Sequence, residues 1–218
     1  LILFAGTKKS NAQITYDRPE YSINAGLDSA FCSSTCATIK RTAIPQHENR
    51  ATNSYKVQQL TMPSPTYNTT GTNIIVNQDD IWSDILNIGF NFCYFGNTYN
   101  KVVIGANGMV SFNTSYANSY CPWSYTGGIP DASKPMNTIM GPYTDIDPSY
   151  GYNPNRINYY TEGTAPCRRF VINFYRVPMF SSSCNSLLLT SQIILHEAYN
   201  IIDIIITSKP VCSSWNGG

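Results

Sequence analysis

The side chains best placed to do chemistry are two carboxylates, Asp145 and Asp147, in the run Tyr143-Thr144-Asp145-Ile146-Asp147-Pro148. On an extended chain, residues i and i+2 point to the same side, so the spacing brings two like charges together. Such a pair wants a cation. A hard ion such as Ca²⁺ suits it, with backbone carbonyls and water completing the shell. The alternative is a solvated strand end whose acids cap the following turn. A glycosidase would need two carboxylates facing across a cleft, for example Asp145 with Glu197, and nothing in the spacing sets that distance.

The second candidate surface is the stretch from Asn113 to Lys134, where Tyr116, Tyr120 and Tyr125 stand among Asn113, Asn118, Pro122 and Trp123. Aromatic faces stack on sugars or anchor partner proteins, and amides add hydrogen bonds. A connection this long is long enough to be functional. The three tyrosines are therefore the expected ligand-binding residues. Trp123 reads instead as a plug for the open end of the fold, beside a Cys121 disulfide.

Other chemistries find little support. Of the two histidines, His47 sits in a weakly patterned segment and His196 ends a strand. His196-Glu197 is followed by Ala198, Tyr199 and Asn200, so the zinc-protease pattern H-E-x-x-H is not completed. There is no G-x-S-x-G elbow or Walker loop, and turn geometry explains Gly105-Ala106-Asn107-Gly108. The expectation is a non-catalytic protein with no required cofactor, Ca²⁺ being the one ion its residues suggest. A net charge of +1, with basic residues scattered apart from Lys8-Lys9 and Arg168-Arg169, argues against nucleic acid as a partner.

The elements that must position these residues follow from composition and pattern. With 218 residues, 42% hydrophobic and 12% charged, the chain is long enough for one main domain and too apolar for disorder. Seven cysteines without a C-x-x-C pair fit a secreted protein with a few disulfides better than a zinc module. The start agrees: Leu1-Ile2-Leu3-Phe4-Ala5-Gly6 reads as the tail of a signal-peptide core and Ser10-Asn11-Ala12 as a small-x-small cleavage site. Residues 1–12 are thus expected to be a signal remnant, on a segment of a longer reading frame. Residues 13–72 read as a loop-rich region holding Cys32 and Cys36, and residues 73–218 as the folded domain. No later apolar run reaches the length of a bilayer span, so membrane insertion is not expected.

Beyond Asn73 short β-branched and aromatic runs alternate with turn residues, the spacing of an all-β antiparallel sandwich. Phe90, Phe92 and Tyr94 share one face of a strand, Gly96-Asn97 turns it into the next, and Asn107-Gly108 starts a second hairpin. In Arg169 to Val177 the pattern sets Phe170, Ile172 and Phe174 inward, and Arg169, Asn173 and Tyr175 outward or towards a second layer. The last two strands flank Glu197-Ala198-Tyr199-Asn200, so paired residues have numbers summing to about 397. That register puts Cys184 opposite position 213, next to Cys212, and predicts a disulfide between the two.

Phe90-Asn91-Phe92-Cys93-Tyr94-Phe95-Gly96, followed by Val102-Val103-Ile104-Gly105-Ala106-Asn107-Gly108 and Phe112, resembles the opening of nidogen-like (NIDO-type) extracellular domains. Pro142-Tyr143-Thr144-Asp145-Ile146-Asp147 is similar to their P-F-W-A-D-x-D segment, with Tyr143 in place of Trp, and Gln192-Ile193-Ile194-Leu195-His196-Glu197 to F-Q-V-V-L-Y-E. Tyr120-Cys121-Pro122-Trp123 and the ending from Ser208 to Gly218 resemble more particularly the N-terminal module of large Bacteroidetes surface proteins exported by the type IX secretion system. The resemblance implies a secreted or cell-surface β-sandwich serving adhesion as one module of a larger polypeptide, with an extracellular protein or glycan as partner. The rival expectation is a carbohydrate-binding accessory module or a glycan-active enzyme domain.

Overall fold

Alternation builds the first hairpin. The computed structural model describes residues 55–57, 59, 65–124 and 131–215, with the backbone of Tyr21–Asn24 and Thr42–Pro45. Residues 1–12, Cys32, Cys36, His47 and Tyr125 lie outside the described residues. The chain divides into two units, residues 1–48 and 49–218. In the first, β1 (Tyr21–Asn24) pairs antiparallel with β2 (Thr42–Pro45). All other elements belong to the second.

There, β3 (Thr72–Asn73) precedes β4 (Leu86–Tyr94), in which Leu86, Ile88, Phe90 and Phe92 are buried and Asn87, Gly89 and Asn91 exposed. That is the period-two signature of a strand with one face on a core. The turn into β5 (Asn97–Gly105) is Phe95-Gly96, both at positive φ, so it falls one residue earlier than the sequence suggests and leaves Phe95 exposed. The second hairpin closes Gly105 onto Met109 of β6 (Met109–Ser111) through Ala106-Asn107-Gly108. Gly108 is needed there: φ is +77° and a Cβ would come within 2.6 Å of the Pro142 ring. With β7 (Thr138–Met140) these strands form a four-stranded sheet in the order β4-β5-β6-β7.

The second sheet has five strands in the order β11-β10-β9-β8-β3, from β8 (Ile157–Glu162), β9 (Arg169–Pro178), β10 (Leu188–His196) and β11 (Ile201–Ser208). Every pairing is antiparallel. Ile88, Phe92, Ile104 and Val110 of one sheet share a core with Phe170, Ile172, Phe174, Ile193 and Leu195 of the other. The fold is an all-β antiparallel sandwich, and each fully buried side chain of this kind stabilises it by roughly 1.5–3 kcal/mol. Among the described residues no helix is long and apolar enough to cross a membrane.

Of the two placements expected for Asn173, outward or towards a second layer, the structure shows the second, because that face is covered as well. Asn173 is fully buried; its Nδ2 donates to Oδ1 of Asn158 at 2.9 Å and to the Asn68 carbonyl at 3.1 Å, and its Oδ1 accepts from Nε2 of Gln192 at 2.7 Å. The segment from Tyr67 to Gly71 lies over this amide ladder, with Tyr67 packed on Tyr175 at 5.3 Å. Buried amides require such partners, and the ladder ties β8, β9 and β10 together.

The last hairpin follows the expected register from His196↔Ile201 to Ser191↔Ile206, then shifts by one residue at a bulge that sets Thr190 against Ser208. Cys184 and Cys212 are disulfide-bonded. Both lie outside the paired strands, so the bond joins the loop before β10 to the tail after β11.

Candidate functional site

The Thr144–Asp147 segment docks on the end of β9. The Asp147 N–H donates to the Pro178 carbonyl at 2.8 Å, the Phe180 N–H donates to the Asp145 carbonyl at 3.1 Å, and Ile146 bridges Met179. This places the two carboxylates that the sequence groups together in different roles. Asp145 is 5% exposed, and its Oδ2 accepts from the Trp215 indole N–H at 2.5 Å. Its Oδ1 is buried with no hydrogen-bond partner. Asp147 is half-buried, and its Oδ1 accepts from the backbone N–H groups of Ser149 and Tyr150 and from the Ser149 hydroxyl, which caps the following turn.

Two further carboxylates join them. Asp79 and Asp80 precede Trp82 on the connection between β3 and β4, and Asn107 clamps that connection to the Asp145 segment. The Asn107 amide donates to Oδ1 of Asp80 at 2.8 Å and to the Cys121 carbonyl at 3.1 Å, while its Oδ1 accepts from the Ile146 N–H at 3.2 Å. The Cys121 N–H in turn donates to the Asp80 carbonyl at 2.7 Å. Sequence reasoning assigned Asn107 to a turn and passed over Asp79-Asp80, whose one available signal was adjacency of two acids before an aromatic residue.

The electrostatics reflect this crowding. Burial pushes Asp79 up to about 7, reinforced by the charges of Asp147, Asp80 and Asp145. Asp145 is pushed up to about 6 by burial, opposed by the Trp215 hydrogen bond and reinforced by Asp80 and Asp147. Asp80 is raised by burial against the hydrogen bond from Asn107. The neighbouring cation, Arg156, feels the charge of Asp147, but its guanidinium donates to the carbonyls of Pro148 and Tyr150. Among the described residues, no three His, Cys, Asp or Glu side chains are already gathered for metal coordination.

The tyrosines separate in the same way. Tyr116 stacks on Trp82 with ring centroids 5.6 Å apart, and its hydroxyl accepts from the Met136 N–H at 3.0 Å. It belongs to a layer over the outer face of the four-stranded sheet, around Trp82, Val103, Met109 and Cys121. Tyr116 is half-buried in this layer: the chain from Asn113 to Ser124 folds back as a cover because that sheet face is itself apolar. Gly105 permits the close approach, since a Cβ there would meet the Cys121 sulfur at 2.6 Å. Cys121 is a buried free thiol, pushed up to about 12 by burial, and does not form the disulfide the sequence suggests beside Trp123. Trp123 packs against Trp215 at 5.9 Å. Tyr120 is 63% exposed, and so, unremarked in the sequence, are Tyr150 at 49% and Tyr152 at 63%.

Glu197 takes no part in this site. Its carboxylate holds Arg168 through Nε at 2.7 Å and a terminal guanidinium nitrogen at 2.5 Å, which keeps Glu197 below the usual carboxylate range. His196, likewise, bonds Asp203 across the hairpin at 2.8 Å. The Glu197 N–H donates to the Arg168 carbonyl and the Glu197 carboxylate accepts from the Arg168 N–H, beside the start of β9, whereas Asp145 adjoins its end. A ten-residue strand spans roughly 30 Å, far beyond the roughly 5–10 Å that separates the carboxylates of a glycosidase.

The family model described as NIDO related matches residues 54–217. The chain belongs to the NIDO-related family. The matched span takes in the Tyr67–Gly71 cover, both sheets of the sandwich, the four aspartates, and the Cys212 and Trp215 tail of this NIDO-related chain. No curated protein and no solved structure matches it.

Proposed function

We propose that this NIDO-related chain is a non-catalytic extracellular interaction module that serves adhesion within a larger cell-surface protein. Family membership over residues 54–217 carries the proposal. The Cys184–Cys212 disulfide supports an oxidising compartment. The position of Asp145 and Glu197 at opposite ends of β9 tells against that pair, the example offered for a glycosidase. A Bacteroidetes parent and export by the type IX route belong to the same proposal, on the resemblance of Tyr120-Cys121-Pro122-Trp123 and of the ending from Ser208.

The recognition surface in this proposal is Tyr120 with Tyr150 and Tyr152, whose exposed rings offer large contact area at low entropic cost. Tyr120 is close enough to Asp80, Asp145 and Asp79 for their charges to act on its hydroxyl, and Tyr150 follows the turn capped by Asp147. The test is binding of the purified chain to arrays of extracellular proteins and of glycans, with a Tyr120→Ser, Tyr150→Ser, Tyr152→Ser variant alongside. Protein or cell-surface binding lost in the folded variant is the expected result. Binding restricted to glycans favours a sugar-binding accessory module, and hydrolysis of any glycan overturns the non-catalytic reading.

A further inference from the structure

The edges of the two sheets are treated unequally. An edge strand presents a row of unpaired N–H and C=O groups, and folded proteins blunt such rows with very short strands, Pro, Lys or a covering segment. β3 and β7 have only two and three residues. Along β4, side chains from neighbouring elements bind the backbone: the Ile88 carbonyl accepts from the Thr161 hydroxyl at 2.7 Å, the Gly89 carbonyl from Arg168 at 2.6 Å and the Cys93 carbonyl from the Tyr55 hydroxyl at 3.1 Å. The Cys93 N–H donates to Oδ1 of Asn200 at 2.7 Å. β11 is different. Its eight residues, Ile201-Ile202-Asp203-Ile204-Ile205-Ile206-Thr207-Ser208, form the edge of the five-stranded sheet and include neither Pro nor Lys. Tyr67 meets the Thr207 hydroxyl at 2.8 Å, a side-chain contact, and among the described residues nothing bonds the outer backbone row of β11.

Which groups of that row face outward follows from the hairpin. The Glu197 N–H donates to the Arg168 carbonyl on the β9 side, whereas the His196 carbonyl accepts from the Asn200 N–H on the β11 side. Antiparallel pairing alternates, so Ile194 and Gln192 also turn towards β11 to meet Asp203 and Ile205, and the N–H and C=O of Ile202, Ile204 and Ile206 point away from the sheet. The same three residues carry an apolar stripe on the core-facing side, opposite Leu195, Ile193 and Ser191. Ile202 packs on the core, but Ile204 and Ile206 are 43% and 48% exposed. We propose that β11 pairs antiparallel with β11 of a second copy of this chain, Ile204 against the partner's Ile204 and Ile202 against the partner's Ile206. The stripe is symmetric about Ile204, so it reads the same in both directions, which is what a two-fold contact between identical surfaces requires. This register sets each outward N–H and C=O against its complement and covers the exposed isoleucines. Any other register that matches outward groups leaves one isoleucine of the stripe opposite a residue outside it. Asp203 then faces the partner's Ile205 and stays held by His196 at 2.8 Å, so no like charges are directly opposed. The inference rests on β11 and holds whether or not the exposed tyrosines bind a ligand.

The test is analytical ultracentrifugation of the full chain, with thiol cross-linking to read the register. One strand pair makes a small interface, so a monomer–dimer equilibrium with a Kd on the order of 10–100 μM is expected. Ile204→Lys places a charge at the exposed centre of the pairing and should weaken association at least about tenfold, with folding retained by circular dichroism. Ile204→Cys, in a Cys167→Ser background that removes an exposed native thiol, should join two copies under mild oxidation. Directly opposed residues bring their Cα atoms to about 5.5 Å, within disulfide reach. Ile206→Cys in the same background should not cross-link to itself, but should cross-link when mixed with Ile202→Cys. A chain that stays monomeric at roughly 0.5 mM overturns the proposal. So does association that Ile204→Lys leaves unchanged, or equal cross-linking of Ile204→Cys and Ile206→Cys. Slow amide exchange at Ile202, Ile204 and Ile206 in a monomer assigns the edge to another segment of the same chain and overturns it as well.

Discussion

The indole Nε1 of Trp215 donates to Oδ2 of Asp145 at 2.5 Å, across a sequence separation of 70. Phe180 and Trp123 pack on the same indole, and the Cys184–Cys212 disulfide anchors the tail three residues before it. The C-terminal tail is thereby latched over the loop that carries the acids.

Opening either half of the latch should destabilise the sandwich. Trp215→Phe keeps most of the packing and deletes a hydrogen bond to a carboxylate, for an expected loss of about 1.5–3 kcal/mol in urea unfolding. The Cys184→Ser, Cys212→Ser pair removes a cross-link between residues 28 apart, for an expected loss of about 2–4 kcal/mol. The loss in the combined variant should be smaller than the sum of the two separate losses, because both act on one tail.

Stability should fall as pH rises through the range from about 4 to 7. Asp79 and Asp145 have folded-state values of about 7 and about 6 against an ordinary 3.8, so in that window the folded chain binds more protons than the unfolded one. Scanning fluorimetry in chelator should give a higher melting temperature at pH 5 than at pH 8, and Asp79→Asn should shrink the difference. At still lower pH the trend should reverse, because the lowered pKa of Glu197 means that protonating it loses the pairing with Arg168.

Tyr116 and Tyr120, four residues apart, should respond oppositely to the same change. Tyr116→Ser removes a ring stacked on Trp82 and an acceptor for the Met136 N–H, and should cost about 2–4 kcal/mol. Tyr120→Ser, at an exposed ring, should stay within about 0.5 kcal/mol of the unmodified chain. Denaturant midpoints of the two variants check this directly.

Asn107→Ala should be among the most damaging polar substitutions. The side chain is fully buried and serves Asp80, Cys121 and Ile146 at once, so its loss strands several buried groups at about 1–3 kcal/mol each. Asn107→Asp keeps the shape but places a fifth carboxylate in the rim, and should be rescued in melting experiments by raising the proton concentration.

Strand identity, strand order within hairpins and register were legible in the sequence because they follow from local rules. Period-two burial in β4, the turn at Asn107-Gly108 and the sum of 397 in the β10–β11 hairpin depend on residues only a few positions apart. Which faces were covered was not legible. Alternation marks the two sides of β9 but says nothing of the Tyr67–Gly71 segment that buries Asn173, or of the Asn113–Ser124 chain that makes Tyr116 structural. The acid site follows the same division. Asp145 and Asp147 declared themselves by spacing, yet their separate roles, and the arrival of Asp79 and Asp80 through Asn107, were decided by contacts between loops 27 to 39 residues apart. A single chain records the preferences of each residue for water or for a partner; the partner itself exists only once the sheets have packed, because burial and charge proximity are properties of assembled surfaces.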